Sequence, residues 1–322
     1  MLVLLNMPHG LLERLRMMQN FMNILNRSEL IEFALRDIYE KAGFSAVRPV
    51  KFERAELYID NKNFVGSGGI ITFMDTDGQL LSLKPDVTLS VVKKALSAGG
   101  CQKLYYSDEV CRMSPVSRKY EAIRQIGLEH IGDIDRQSTE EIITLALKSL
   151  KTISDDYILD ISHVGFISDL FKGLEKPLRD AVFENVILKS RHGITGVLEN
   201  AEIADSLKEK LLILPGLHGK FSDILPQAEK LVISAEMENI LTDLKALYNY
   251  LVNAGLSKTA RLDFGIINDL SYYSGIIFRG YVKELSSVVL SGGRYDNLVR
   301  KLGGTGGAMG FAVKLNEIEE RV

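Results

Sequence analysis

The chain changes texture twice. Up to about residue 165, strand-like apolar runs alternate with amphipathic segments. From about 166 to 257 only helical periodicity remains, as in FISDLFKGL, EIADSLKEKLLIL and SAEMENILTDLKALYNYLVNAG. Strand texture returns at ARLDFGII and runs through SGIIFRGYV and SSVVLSGGRYDNLV to GAMGFAVKL. No repeat and no low-complexity linker separates these zones, so the pattern predicts an α+β domain over 1–165 and 258–322, interrupted by a mostly helical insertion over 166–257.

Local signals place the elements. NRSELIEFALRDIYEKAGF (26–44) reads as a helix: Asn26 and Glu29 make a capping-box pattern, apolar residues follow at helical spacing, and Gly43 stops it. ITFMDTDGQLLSL reads as a hairpin around an Asp-Gly turn. PDVTLSVVKKALSAG predicts a helix beginning near Asp86, and TEEIITLALKSLKTI (139–153) another. KLYYSDEVCRMSP, YEAIRQIGLEHIGD and DDYILDISHVG read as strands.

Composition excludes several classes. Of the 322 residues 46% are hydrophobic and 25% charged, ordinary globular values. A net charge of −3 argues against a broadly basic nucleic-acid surface. Cys101 and Cys111 have neither disulfide-framework nor metal-site spacing, which fits reduced thiols in a cytoplasmic protein. The opening MLVLLNMPHG has no basic start and is cut by Pro8, so neither a signal peptide nor a membrane span is expected. GxxxxGK[ST], HExxH and GxSxG are all absent. GGTGGAMG (303–310) lacks phosphate-loop spacing and reads as a turn into the last strand, and the five histidines show no metal-ligand spacing; no metal or cofactor is expected.

A set of polar residues at strand ends and a helix start carries more information. Asp86 and Thr88 begin a helix in KPDVTLS. Gln125 and Glu129 in RQIGLEHIG are four apart, hence on one face of a strand. Tyr272 or Tyr273, and Tyr295, come from later runs. Taken singly each is an ordinary cap or solvent-face residue. Together, carboxylates, an amide and phenols suit a small cationic or amine-bearing ligand.

LSLKPDVTLSVVKKAL, EVCRMSPVSRKYEAIRQIGLEHIG, LSYYSGIIF, SGGRYDNLVRKLGG and GAMGFAV occur in the order found in the catalytic domain of histidyl-tRNA synthetase. The chain resembles that family over roughly 70–150 and 260–315. The resemblance implies a class II aminoacyl-tRNA synthetase-like antiparallel sheet flanked by helices, built around dimerisation. It also implies a histidine pocket made by Asp86, Thr88, Gln125, Glu129, Tyr273 and Tyr295.

The family's ATP site is only partly represented. Its motif-2 arginine is Arg112, but the glutamate two residues later is Ser114. The arginine opening the family's RGLDYY block is Asn268, and the last-motif arginine is Glu317. Arginines that neutralise developing phosphate charge are worth about 3 kcal/mol or more each, so a charge reversal opposes ATP activation. The sequence ends right after that motif at Val322, leading to the expectation of no anticodon-binding domain and no tRNA binding.

This combination resembles the regulatory subunits of ATP phosphoribosyltransferase, synthetase-like proteins of histidine biosynthesis. The resemblance implies a non-catalytic chain, required by a separate short catalytic subunit, in a hetero-octamer of four plus four under feedback by L-histidine. A minimal histidine-activating enzyme or synthetase fragment, and a stand-alone histidine sensor, are the alternatives. The Met- and Leu-rich segment MLVLLNMPHGLLERLRMMQNFMNIL is a candidate partner surface, or else packs on the chain's own core.

Overall fold

A computed structural model describes residues 24–62, 69–114, 117–266, 272–285 and 287–319. Most of the Met- and Leu-rich N-terminal segment and Asn268 lie outside the described residues. The first helix lying wholly within the described residues spans Arg27–Lys41. Its start is closed reciprocally: Asn26 Oδ1 accepts from the Glu29 amide at 2.9 Å, and Glu29 Oε2 accepts from the Asn26 amide at 2.8 Å.

The strands, in chain order, are β1 (Ser45–Ala46), β2 (Phe52–Arg54), β3 (Thr72–Met74), β4 (Leu80–Leu83), β5 (Gln102–Met113) and β6 (Tyr120–Gly132). They continue as β7 (Tyr157–His163), β8 (His218–Lys220), β9 (Ala260–Asp263), β10 (Ile276–Val282), β11 (Leu290–Arg294) and β12 (Gly307–Lys314). Nine of them form one sheet in the order β1-β5-β6-β12-β11-β10-β7-β9-β8, and β2-β4-β3 form a small second sheet. The expected antiparallel sheet needs correcting to a mixed one: β1 runs parallel to β5, and β7 parallel to β9. Strands joined by long connections are free to pair this way, whereas tight hairpins are not.

Next to the β1 edge stands the long hairpin β5–β6, in register from Gln102 opposite Ile131 to Met113 opposite Tyr120. Its period-two alternation sends Ile126 and Leu128 to one face, where they join Met309, Phe311 and Phe278 beneath the helices Arg27–Lys41 and Arg136–Ile153. The opposite face carries Tyr106, Val110, Ile131 and Ala308, packed with the helix Thr88–Ala98. Both faces are therefore covered, and residues lining the second one are buried or half-buried.

Between Val164 and Asn253 the chain forms six helices: Val164–Leu170, Lys176–Ile187, Arg191–Leu198, Asp205–Ile213, Phe221–Glu229 and Ala235–Asn253. The absence of strands expected here is corrected by β8, which pairs with β9 at the sheet margin. Three residues reading HGK offer no apolar alternation, so periodicity could not have found it. Likewise DNLV, read as strand texture, opens a helix over Asp296–Lys301. No helix among the described residues is long and apolar enough to cross a membrane.

The helix Arg136–Ile153 starts three residues earlier than the apolar pattern indicated, because Asp135 caps it by accepting from the Ser138 amide at 2.7 Å. Its Leu150 is fully buried, close above Gly280 of β10, where a Cβ would lie 2.7 Å from the Leu150 methyls. Leu150→Ala is expected to lose about 2–5 kcal/mol in urea unfolding. Asp135→Ala should lose only about 1 kcal/mol, and equal losses would contradict this division between core and cap.

Candidate functional site

Glu129 lies three residues before the end of β6 and is 2% exposed. A carboxylate that deep needs partners. It has two: Thr88 Oγ1 donates to Glu129 Oε1 at 2.8 Å, and the Tyr295 hydroxyl donates to Glu129 Oε2. Beside it, along the ladder, stand Gly310 of β12 and then Gly293 of β11. A Cβ on Gly310 would overlap Glu129 Oε2 and the Leu128 carbonyl, and one on Gly293 would come within 2.8 Å of the Tyr273 ring. The glycines thus keep the floor bare where the carboxylate and the phenol lie across it.

Three other blocks are fastened around this floor. Asp86 sits two residues before the helix Thr88–Ala98; its Oδ1 accepts from the Leu89 amide at 3.0 Å, tying it to the first turn. Its Oδ2 accepts from Arg112 Nη2 at 3.1 Å, while Arg112 Nε donates to the Pro85 carbonyl at 2.6 Å. Ser274 stitches the two tyrosine blocks together: its amide donates to the Arg294 carbonyl at 2.8 Å, and its hydroxyl accepts from the Asp296 amide at 2.9 Å. The rings of Tyr272 and Tyr273 are consequently 4.5 Å apart, centre to centre, and those of Tyr272 and Tyr295 are 5.8 Å apart.

Electrostatically the site is short of positive charge. Burial drives the Glu129 carboxyl up to about 8, against the pull of its Tyr295 and Thr88 hydrogen bonds, and nearby Asp86 adds to the rise. Burial also raises Asp86, with Arg112 opposing it. The phenols of Tyr106, Tyr272, Tyr273 and Tyr295 are all raised by burial and by facing these carboxyls. A cation entering here would relieve the mutual repulsion and draw a proton off Glu129.

Five of the six pocket residues named from sequence come together: Asp86, Thr88, Glu129, Tyr273 and Tyr295. Gln125 is buried on the same face of β6, but about 13 Å further along the strand, at the level of Asp108 and Lys314. Tyr272, left as an alternative to Tyr273 by the sequence, belongs to the group, and Tyr106 was missed; both phenols feel the Thr88 side chain. Tyr106 was findable, since alternation in KLYYSDEV puts it on the face of Val110.

The residues assigned to a former ATP site are dispersed among other duties. Arg112 is engaged with Asp86, as above. Ser114 closes the turn after β5, its amide bonded to the Lys119 carbonyl and its carbonyl to the Arg118 amide. Glu317 accepts from the Ser287 hydroxyl and faces the Lys314 ammonium. Lys314, whose charge burial disfavours, also feels Arg112 and Arg279, so the reversed charge at Glu317 faces a cation, Lys314, that no motif marked.

A family model described as histidyl-tRNA synthetase matches residues 23–318. The ATP phosphoribosyltransferase regulatory subunit of Caldanaerobacter subterraneus subsp. tengcongensis is 30% identical over 295 residues, covering 89% of this chain and 76% of the relative. That of Acetivibrio thermocellus is 29% identical over 296 residues, covering 89% and 71%. Among solved structures, an ATP phosphoribosyltransferase regulatory subunit/histidyl-tRNA synthetase from Bacillus halodurans superposes with a TM-score of 0.80 at 24% identity, over 90% of this chain and 78% of that one. A chain of the ATP phosphoribosyl transferase (HisG:HisZ) complex from Thermotoga maritima gives 0.70 at 20% identity, over 90% and 97%.

Two outcomes are expected of the site itself. Between about pH 4.5 and 8 the folded chain holds a proton on Glu129 that the unfolded chain has released, so stability falls as pH rises through that window. Urea unfolding at pH 5.5 and 7.5 should show a smaller difference for Glu129→Gln than for the parent. Gly310→Ala is expected to destabilise by at least about 1–3 kcal/mol through overpacking; a neutral result would mean that the floor is not closed.

Proposed function

The chain belongs to the histidyl-tRNA synthetase family, among the ATP phosphoribosyltransferase regulatory subunits, and from that premise we propose that it serves as such a subunit in the first step of histidine biosynthesis. It is not itself the catalyst; phosphoribosyl transfer to ATP takes place on a separate short catalytic chain that needs this one for activity. Its own task is to bind L-histidine and pass that state to the partner. We place it in the cytoplasm, as a dimer within a hetero-octamer of four chains of each kind, with 166–257 an insertion into the synthetase-like domain.

The observation that carries this reading is the pocket's one-sided charge. Glu129, Asp86 and the phenols offer acceptors to an ammonium and an imidazole, whereas Arg112 is bonded to Asp86. A pocket so arranged holds an amino acid without activating it. Feedback then needs only that histidine bind one state of the assembly better than the other, by the 1–3 kcal/mol or so ordinary for such coupling.

Testing requires the purified chain, the short catalytic subunit and L-histidine. Phosphoribosyl transfer should depend on this chain and be suppressed by L-histidine. Tyr295→Phe and Thr88→Ala should each raise the histidine concentration for half-inhibition by roughly tenfold, the loss of one buried hydrogen bond. Histidine-dependent pyrophosphate exchange by the chain alone would instead establish a minimal histidine-activating enzyme.

A further inference from the structure

On the same face of the sheet as Glu129, but towards β9, lies a cleft of about 400 Å³. Register fixes its polar floor. Arg261 of β9, Asp160 of β7 and Arg279 of β10 are direct neighbours across the ladder, so their side chains stand in a row. Lys189, Asp263, Tyr281 and the apolar Ile158, Ile187 and Ile266 are among the residues of its walls.

Two of these charges are already satisfied. Asp263 Oδ2 accepts from Lys189 Nζ at 2.7 Å, and its Oδ1 accepts from the Gly265 amide at 2.8 Å. The row itself is not. Among the described residues, Arg261, Asp160 and Arg279 make no side-chain hydrogen bond and no ion pair, although all three are half-buried and adjacent. Half-buried charges left unpaired beside one another are costly, and a ligand that supplies their partners gains what the fold has left unused.

The signs specify the partner. Two guanidiniums call for two anionic groups, and each offers the planar fork that matches a carboxylate. The carboxylate between them calls for a cation. Inorganic phosphate or a plain dicarboxylate would meet the guanidiniums but would face Asp160 with like charge. We propose that this cleft binds a dicarboxylic α-amino acid, its two carboxylates held by Arg261 and Arg279 and its ammonium by Asp160. The cleft adjoins the tyrosine-lined pocket at Ile266, which packs with Tyr273, and at Arg279, but the three residues that hold the ligand are not among those assigned to histidine.

Calorimetric titration of the full chain with L-glutamate at pH 7.5 tests this directly. Saturable one-to-one binding below about 1 mM is expected. Glutarate, which lacks only the ammonium, should bind at least tenfold more weakly, and Asp160→Asn should abolish that preference. Arg261→Gln should weaken L-glutamate at least tenfold. Asp160, faced by Arg261, Lys189, Arg279, Asp263 and Tyr281, is pushed by burial and Asp263 up to about 6. Lowering the pH through that value should therefore erase the preference for glutamate over glutarate in the parent chain. That comparison needs no variant and stands even if Arg261→Gln fails to fold. The proposal is overturned by no saturable glutamate binding, by glutarate or inorganic phosphate binding as well as glutamate, or by saturating L-histidine displacing it.

Discussion

A carboxyl group buried on an inner strand of a nine-stranded sheet sets the terms for what surrounds it. Glu129 is tolerable there only because Thr88 and Tyr295 donate to it, and each donor commits a different part of the chain. Thr88 brings the helix Thr88–Ala98 and, beside it, Asp86. Tyr295 brings the GGRYD block, to which Ser274 fastens Tyr272 and Tyr273. The bare backbone of Gly310 and Gly293 follows from the same constraint, since the carboxylate and a phenol occupy the space where side chains would project. Four segments far apart in sequence converge for one physical reason: a buried acid has to be answered from every side.

How much of this was legible in the sequence depended on whether the signal was local. The Asn26–Glu29 capping box, the hairpin about Asp75–Gln79 and the alternation of β5 and β6 are written in residues three to six apart, and all were read correctly. What escaped was decided by tertiary pairing. β8 exists because β9 offers it an edge, not because HGK prefers extension. The parallel pairing of β1 with β5 and β7 with β9 leaves no trace in either partner's composition. In the site, Thr88, Glu129 and Tyr295 were recoverable from motif blocks, whereas Tyr106 belongs to no such block and only the alternation of β5 marks its face. Gln125 shares the face of Glu129, as a spacing of four requires, but lies about 13 Å along the strand from it, beside Asp108 and Lys314.

The departures from the synthetase pattern also read differently once neighbours are visible. Glu317 taken alone is a charge reversal; with Lys314 across from it and Ser287 donating to it, it is part of a balanced local arrangement. Arg112 taken alone is a phosphate-seeking guanidinium; bonded to Asp86 and the Pro85 carbonyl, it serves as a brace for the pocket's acid. Catalytic loss in a fold of this kind need not leave an empty site. The same positions can be redeployed to hold up a binding surface.

The full-length pairing of β6 has a further consequence. It is laced to β5 along twelve consecutive partners and to β12 along eight, so the strand beneath the pocket has no slack in either direction. An occupant's arrival cannot be relayed by that strand shifting. Any message must leave through what is fixed at fewer points: the helix that hangs Thr88 over the floor, and the tyrosine segment pinned through Ser274. The sheet acts as an anvil, and whatever listens to this pocket has to be in touch with its hammers.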